Sequence, residues 1–212
     1  MASHLKKIKK FRSIIRCKAY EVFDKDGSFL AVLYTDFHPR AGKRSGAWMT
    51  SYKEQWIENG VNSRPHVSVT MNFTKPSAGK PALLTFSEVN TFLHEFGHAL
   101  HGMFANTTYS TMSGTSVYWD FVELPSQIME NFATEKEFLN TFARSLSDGR
   151  THSCRTDSKL IDASNFNVAY ACLRQISFGL LDMAWYTRQE TFDGDVRAYG
   201  KEAWKKRKYC PE

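Results

Sequence analysis

The sequence lacks several features that would place a protein in a membrane or in an oxidising compartment. No run of 18 or more apolar residues occurs among its 212 residues, so we expect no membrane-spanning helix. The N-terminal end has no apolar stretch of the kind that a secretory signal requires. The four cysteines are scattered and form no Cys-x-x-Cys pair, which argues against a disulfide framework and against a structural zinc site. Together these absences favour the reducing cytoplasm.

Acidic residues are missing from residues 1–18, which hold seven Lys or Arg residues. Because the whole chain carries a net charge of +6, residues 19–212 carry only −1. A basic end could contact nucleic acid or an anionic surface, but charge alone supports that idea. We therefore expect residues 1–18 to be a solvated extension with no nucleic-acid partner. Residues 19–212 have enough apolar and aromatic side chains to form one domain with a core.

The segment between residues 19 and 86 favours β-strands. An Asp-Gly pair at 26–27 predicts a turn, and therefore a hairpin of Tyr20–Phe23 with Phe29–Phe37. Alternating apolar residues in His66–Phe73 predict a half-buried strand. The intervening basic loop has charged side chains that we expect to be solvated, namely Arg40, Lys43 and Arg44.

A His-Glu-x-x-His pattern at residues 94–98 lies in a segment that reads as a largely buried helix capped by Ser87. Residues four apart share a helical face, so His94 and His98 can point at one metal ion, and Glu95 can reach a water bound to it. Chance would produce this zinc-peptidase pattern roughly once in a hundred chains of this composition. The alternative is a helix whose histidines pack or face solvent. A metzincin needs a third histidine where this chain has Phe104, so another ligand must come from elsewhere.

Residues 92–131 resemble the active-site core of the thimet oligopeptidase and peptidyl-dipeptidase Dcp family of zinc peptidases, and more closely the Dcp branch. The resemblance rests on His-Glu-Phe-Gly-His-Ala-Leu-His-Gly at 94–102, Ser-Gly-Thr at 113–115 and Asp-Phe-Val-Glu-Leu-Pro-Ser-Gln at 120–127. It implies His94, His98 and Glu123 as ligands of one zinc ion, and Glu95 as the general base. A carboxylate as the third ligand, after the two histidines, also suits a catalytic site with an open fourth position.

Three further residues are candidates for contacts around the ligands. Glu130 follows Glu123 by seven residues and so falls on the same helical face. Together with Asp120 it could orient a ligand histidine, although either could be an ordinary solvated acid. His101 shares the face of His94, and we interpret it as a packed histidine or one that supports a ligand.

The resemblance implies an α+β fold, mostly helical, with a zincin-like catalytic core and a small mixed or antiparallel sheet beside the metal-binding helix. In that family an edge strand beside the helix holds the substrate backbone, and residues 46–48 are our candidate for it. The implied reaction is hydrolysis of short peptides, with dipeptides released from the C-terminus in the Dcp branch. Family members are much longer, so we expect a partial core, and the alternative is an impaired or inert zinc-binding fragment.

The C-terminal third predicts helices after an irregular segment. Residues 145–158 are polar and read as a loop. Periodic apolar residues predict one long amphipathic helix from Asn165 to Tyr186, and a further helix from Val196 to Lys206.

Overall fold

The computed structural model describes residues 4–9, 17–77, 79, 81–146, 148–151 and 154–205, with the side chains of 154–157 left undescribed. Two compact units, Met1–Gly149 and Arg150–Glu212, make up the chain. The first contains a sheet and helices and the second contains helices, which confirms the predicted α+β class. Among the described residues, no helix combines the length and the apolar character needed to cross a bilayer.

The first unit is organised around a mixed five-stranded sheet with the strand order β1-β2-β3-β7-β4. Its two central strands, β3 and β7, run parallel, and the other neighbours are antiparallel. The strands β5 and β6 form a separate hairpin. The strand bounds are β1 His4–Lys7, β2 Lys18–Phe23, β3 Phe29–Asp36, β4 Trp48–Lys53, β5 Trp56–Glu58, β6 Val61–Ser63 and β7 His66–Thr70.

The predicted hairpin of β2 and β3 is confirmed. Gly27 has a positive φ of 82°, and the backbone of Asp24 bonds to both Gly27 and Ser28, which closes the turn. The basic N-terminal end differs from its prediction, because β1 pairs with β2 although its four residues are exposed. Within that extension, residues 1–3 and 10–16 lie outside the described residues.

Strand β7 is buried on both faces, so the prediction of a half-buried strand is wrong for one of them. Val67 and Val69 face the main core with exposed fractions of 0% and 1%, as predicted. Ser68 and Thr70 on the opposite face are also buried. The loop of residues 38–47 reaches this second face, where it lines a cavity together with Ser68 and Thr70.

The same loop corrects the expectation of solvated basic side chains. The Lys43 side chain is only 2% exposed, forms an ion pair of 3.1 Å with Asp36, and donates to the carbonyls of Asp36, His38 and Met71. Arg40 donates twice to the Asp36 carboxylate, at 2.8 and 2.6 Å, whereas Arg44 is exposed as expected. Asp36 is the last residue of β3, so these bonds attach the loop of residues 38–47 to the end of that strand.

Helix α1 spans Phe86–Met103 and packs against the sheet. Its N-cap is Thr85, which forms a complete capping box with Glu88, so the predicted cap at Ser87 is wrong. Ala99 and Met103 of α1 join the sheet residues in the main core. The helix therefore fixes the His-Glu-x-x-His segment on a rigid element beside the sheet.

Three short helices follow α1 in the first unit: α2 Trp119–Val122, α3 Leu124–Glu130 and α4 Lys136–Phe142. Pro125 lies in the first turn of α3, where its missing amide hydrogen costs no helical bond. The α3 helix packs tightly on α1 because Gly97 has no side chain. A Cβ atom at Gly97 would lie 2.6 Å from both the Pro125 carbonyl oxygen and the Ser126 Cα atom.

The second unit consists of α5 Cys154–Asn165, α6 Val168–Tyr186 and α7 Val196–Lys205. Since α5 begins at Cys154, the predicted loop of residues 145–158 is too long. The predicted long helix begins at Val168, after Asn167 adopts a left-handed conformation that separates it from α5. Much of the apolar surface of α6 is exposed, including Leu173, Ile176 and Met183.

Candidate metal centre

His94 and His98 lie one turn apart on α1 with their rings facing each other edge to face. The ring centroids are 5.0 Å apart and the interplanar angle is 84°. Both side chains are partly exposed, at 26% and 13%. The helix thus presents two imidazole Nε2 atoms toward one point, as the i and i+4 spacing predicts.

Glu123 joins them from the junction between α2 and α3. Its Oε2 atom lies 3.2 Å from Nε2 of His94 and 3.1 Å from Nε2 of His98. In a tetrahedral zinc site with bonds of about 2.0–2.1 Å, neighbouring ligand atoms are about 3.3 Å apart. The three ligand atoms lie within 4.8 Å of one another, so these residues fit a single zinc ion.

Glu95 lies beside this group and is buried, with 9% of its surface exposed. Burial is the main cause that raises the pKa of its carboxyl, and the nearby Glu123 carboxylate acts in the same direction. His94, His98 and the Met49 backbone amide act in the opposite direction. A carboxyl with a raised pKa beside a metal site is suited to accept a proton and to return it.

Glu130 contacts His94, one of the two candidate ligand histidines, as its position on the helical face predicts. Its Oε1 atom lies 2.6 Å from Nδ1 of His94, and its Oε2 atom accepts a hydrogen bond of 3.0 Å from Asn90. Asn90 lies one turn before His94 on α1, so both ends of the Glu130 carboxylate are held. An outer carboxylate of this kind orients a ligand imidazole and favours the tautomer whose Nε2 is free for metal.

The other two candidates do not contact the ligands in this way. Asp120 is exposed on α2, and within the described part of the chain its carboxylate has no hydrogen bond or ion pair. His101 packs edge to face against Phe121, with ring centroids 6.1 Å apart, and burial lowers the pKa of its imidazole. Its geometry supports the interpretation of a packed histidine.

The face of α1 that carries the candidate ligands opens into a cleft of about 300 Å³. One wall is the start of β4, the edge strand of the sheet, which the predicted residues 46–48 lead into. Thr115, the last residue of the Ser-Gly-Thr segment at 113–115, lines the cleft near the candidate ligands. The cleft is lined by Ala47, Trp48, Met49, His94, Glu95, His98, Thr115, Val122 and Glu123.

Comparison with known proteins decides the family. The sequence model of Peptidase family M3 matches residues 15–208. The chain belongs to this family. The predicted resemblance to the thimet oligopeptidase and Dcp family is therefore confirmed.

Curated relatives of this M3 chain share about 40% identity with it. Dipeptidyl carboxypeptidase of Escherichia coli is 42% identical over 173 residues, which cover 82% of this chain and 25% of the relative. Oligopeptidase A of the same organism is 39% identical over 165 residues, covering 77% and 24%. The thimet-like oligopeptidase of Dictyostelium discoideum is 39% identical over 175 residues, covering 79% and 26%. The M3 chain thus spans about a quarter of the length of these relatives.

Sequence reasoning about the M3 chain missed two residues that shape the site. Ser126 is fully buried, and its hydroxyl lies 2.7 Å from Oε2 of Glu123. This hydrogen bond is the main cause that lowers the pKa of Glu123, with His98 and His94 contributing less. Gly97 lets α3 approach α1. A serine three residues after the candidate ligand glutamate, and a glycine between the two candidate ligand histidines, were the available signals.

Proposed function

We propose that the chain forms the zinc-binding catalytic core of a metallopeptidase that hydrolyses short peptides. The observation that carries this proposal is the convergence of Nε2 of His94, Nε2 of His98 and Oε2 of Glu123 within 4.8 Å. Two imidazoles and one carboxylate favour one zinc ion per chain and leave a fourth coordination position open. The helix α1 against the mixed sheet is, in this proposal, a zincin-like catalytic core.

Each reacting group has a defined task in the proposed hydrolysis. Zinc held by the three side chains would act as a Lewis acid, which acidifies water and polarises the scissile carbonyl. Glu95 accepts a proton from the attacking water while the water oxygen adds to the carbonyl carbon. Glu95 then gives that proton to the leaving nitrogen as the carbon–nitrogen bond breaks. The raised pKa of the buried Glu95 suits it to both transfers.

The edge strand β4 provides a place for the peptide backbone. One side of β4 pairs with β7, no other described strand pairs with its opposite side, and we propose that an extended peptide adds there as a further strand. Trp48 at its start lines the cleft beside the ligands. The names of the relatives, dipeptidyl carboxypeptidase and oligopeptidase A, support short peptides as substrates. We propose short peptides and not nucleic acid as partners, and the cytoplasm as the compartment.

A competing function is an inert or impaired zinc-binding core. It is favoured by the exposed apolar side chains of α6. Zinc binding does not separate the two functions, because both require it. Cleavage of a short peptide separates them, because only the peptidase performs it.

The test measures zinc content and cleavage of a quenched short peptide for the 212-residue chain and for Glu95→Gln. The amide keeps the size of the side chain and leaves the three ligands in place, but it cannot accept the proton. We expect equal zinc content and a rate about 100- to 10,000-fold lower in the variant. Zinc in both proteins without cleavage by the parent would favour the inert core, and an absence of zinc in the parent would overturn the site.

A further inference from the structure

Ser126 occupies a fully buried position between the candidate ligand Glu123 and the surface of α1. Its hydroxyl oxygen lies 2.8 Å from the backbone carbonyl oxygen of Glu123 and 2.7 Å from Oε2 of the same residue. This Oε2 is the atom that lies 3.2 and 3.1 Å from the two histidine Nε2 atoms. One buried hydroxyl therefore contacts the carboxylate oxygen that faces the metal site.

A serine hydroxyl has one hydrogen, so it donates to one of these two oxygens at a time. The Glu123 carbonyl already accepts a hydrogen bond of 2.9 Å from the backbone amide of Gln127. A bond to a carboxylate is charge-assisted and stronger than a bond to a neutral carbonyl. Both considerations direct the hydroxyl hydrogen of Ser126 to the carboxylate of Glu123.

Glu123 needs such a partner because its side chain is 49% exposed. A half-exposed glutamate samples several rotamers, and fixing one of them on a metal costs conformational entropy. A carboxylate oxygen has two lone pairs, so Oε2 can accept from Ser126 and still offer the other lone pair to a metal. A hydroxyl that fixes the rotamer in advance lowers the cost of coordination.

We propose that Ser126 is a positioning residue that sets the carboxylate of Glu123 for metal coordination, an inference that rests on the proposed zinc site. Ser126 acts through Glu123 and does not itself touch the metal. Its burial depends on Gly97, whose hydrogen leaves room for the Ser126 backbone on α1. The supporting hydroxyl and the candidate ligand thus belong to one turn of chain that packs on Gly97 of α1.

The experiment compares zinc affinity of the full chain with that of Ser126→Ala, by competition with a chromophoric zinc chelator at neutral pH. Alanine removes the hydroxyl without adding volume to a buried site. Loss of a residue that supports a metal ligand typically weakens metal binding by about 10- to 100-fold, and we expect a loss in that range. Ser177→Ala is the matched control. Ser177 is also buried, and its hydroxyl donates at 2.8 Å to a helix carbonyl, that of Leu173 in α6.

A double-mutant cycle distinguishes positioning from a general effect on the fold. In a Glu123→Ala background, Ser126→Ala should cause no further loss of zinc affinity beyond about twofold, because the group it positions is gone. An equal loss in both backgrounds would overturn the proposal, as would parental affinity in Ser126→Ala alone.

The zinc affinities also separate the failure of the Ser126 proposal from the failure of the proposed peptidase function. Zinc binding without peptide cleavage would refute the peptidase function, while the affinities would still decide the role of Ser126. A parent chain that binds no zinc would overturn both.

Discussion

Gly97→Ala should weaken zinc binding although Gly97 is not a ligand. An alanine Cβ would lie 2.6 Å from the Pro125 carbonyl oxygen and from Ser126 Cα, whereas ordinary contacts begin near 3.4 Å. Both neighbours are backbone atoms, so the first turn of α3 must move away from α1 by about 0.8 Å. Metal–ligand distances tolerate only about 0.2 Å. A displaced Glu123 could then no longer coordinate a metal held by His94 and His98.

The expected change in the stability of the zinc-free chain follows from two opposing contributions to the free energy of unfolding. Replacing glycine by alanine inside a helix stabilises it by about 1 kcal/mol, and overpacking a tight contact costs about 1–3 kcal/mol. We therefore expect the zinc-free chain to lose about 0–2 kcal/mol of stability and to remain folded. Zinc affinity should fall by at least about tenfold, the lower end for disturbing the surroundings of a ligand.

The assay combines chelator competition with urea unfolding of the zinc-free protein. Gly179→Ala is the matched control, because Gly179 lies inside α6 and a Cβ there would meet nothing within 4 Å. That variant should keep parental zinc affinity and gain up to about 1 kcal/mol of stability. Parental zinc affinity in Gly97→Ala would refute the reasoning. A zinc-free Gly97→Ala protein without helical circular dichroism would show that the substitution acts on the whole fold.

Two further predictions concern the surroundings of the site. Glu130→Gln should weaken zinc binding by about 10- to 100-fold because the carboxylate 2.6 Å from Nδ1 of His94 is replaced, while Asp120→Asn should bind zinc like the parent. Chelator competition on both variants checks this, and equal affinities would remove the role of Glu130. Lys43→Met should lower the free energy of unfolding by about 1–3 kcal/mol, since the three carbonyls that its buried ammonium serves lose their donor. Urea unfolding measures this free energy, with exposed Arg44→Met as the control. Equal losses of stability in the two variants would contradict the prediction for Lys43.

Rules about local sequence predict a structural feature correctly where that feature depends on neighbouring residues alone. The i and i+4 spacing places His94 and His98 on one face of α1, and the Asp-Gly pair predicts the turn between β2 and β3. The capping box of Thr85 and Glu88 also stands in the sequence as a local pattern, and in the structure it replaces the cap predicted at Ser87. That error changes the start of the helix and leaves the metal-binding face unaltered.

Local rules failed where a feature depends on distant segments. Nothing near Lys43 in the sequence indicates that its ammonium is buried against the end of β3 and the Met71 carbonyl. Likewise, Ser68 and Thr70 are polar and suggest a solvated face, yet the loop of residues 38–47 lines the cavity that they face. Burial of these groups follows from the path of the chain between two parallel strands, which a single strand's pattern does not contain.

The different outcomes for Glu130 and Asp120 have one physical cause. Helical periodicity predicts a shared face only within one continuous helix. Glu123 caps α3 and Glu130 ends it, so their seven-residue spacing is meaningful. Asp120 belongs to α2, a separate four-residue helix that ends before Glu123, so the periodicity of α3 does not extend to it. The candidate ligand Glu123 lies at this break, where Gly97 admits the first turn of α3 and Ser126 bonds to the carboxylate. The candidate third ligand is therefore positioned by a contact between helices, which motif spacing alone does not encode.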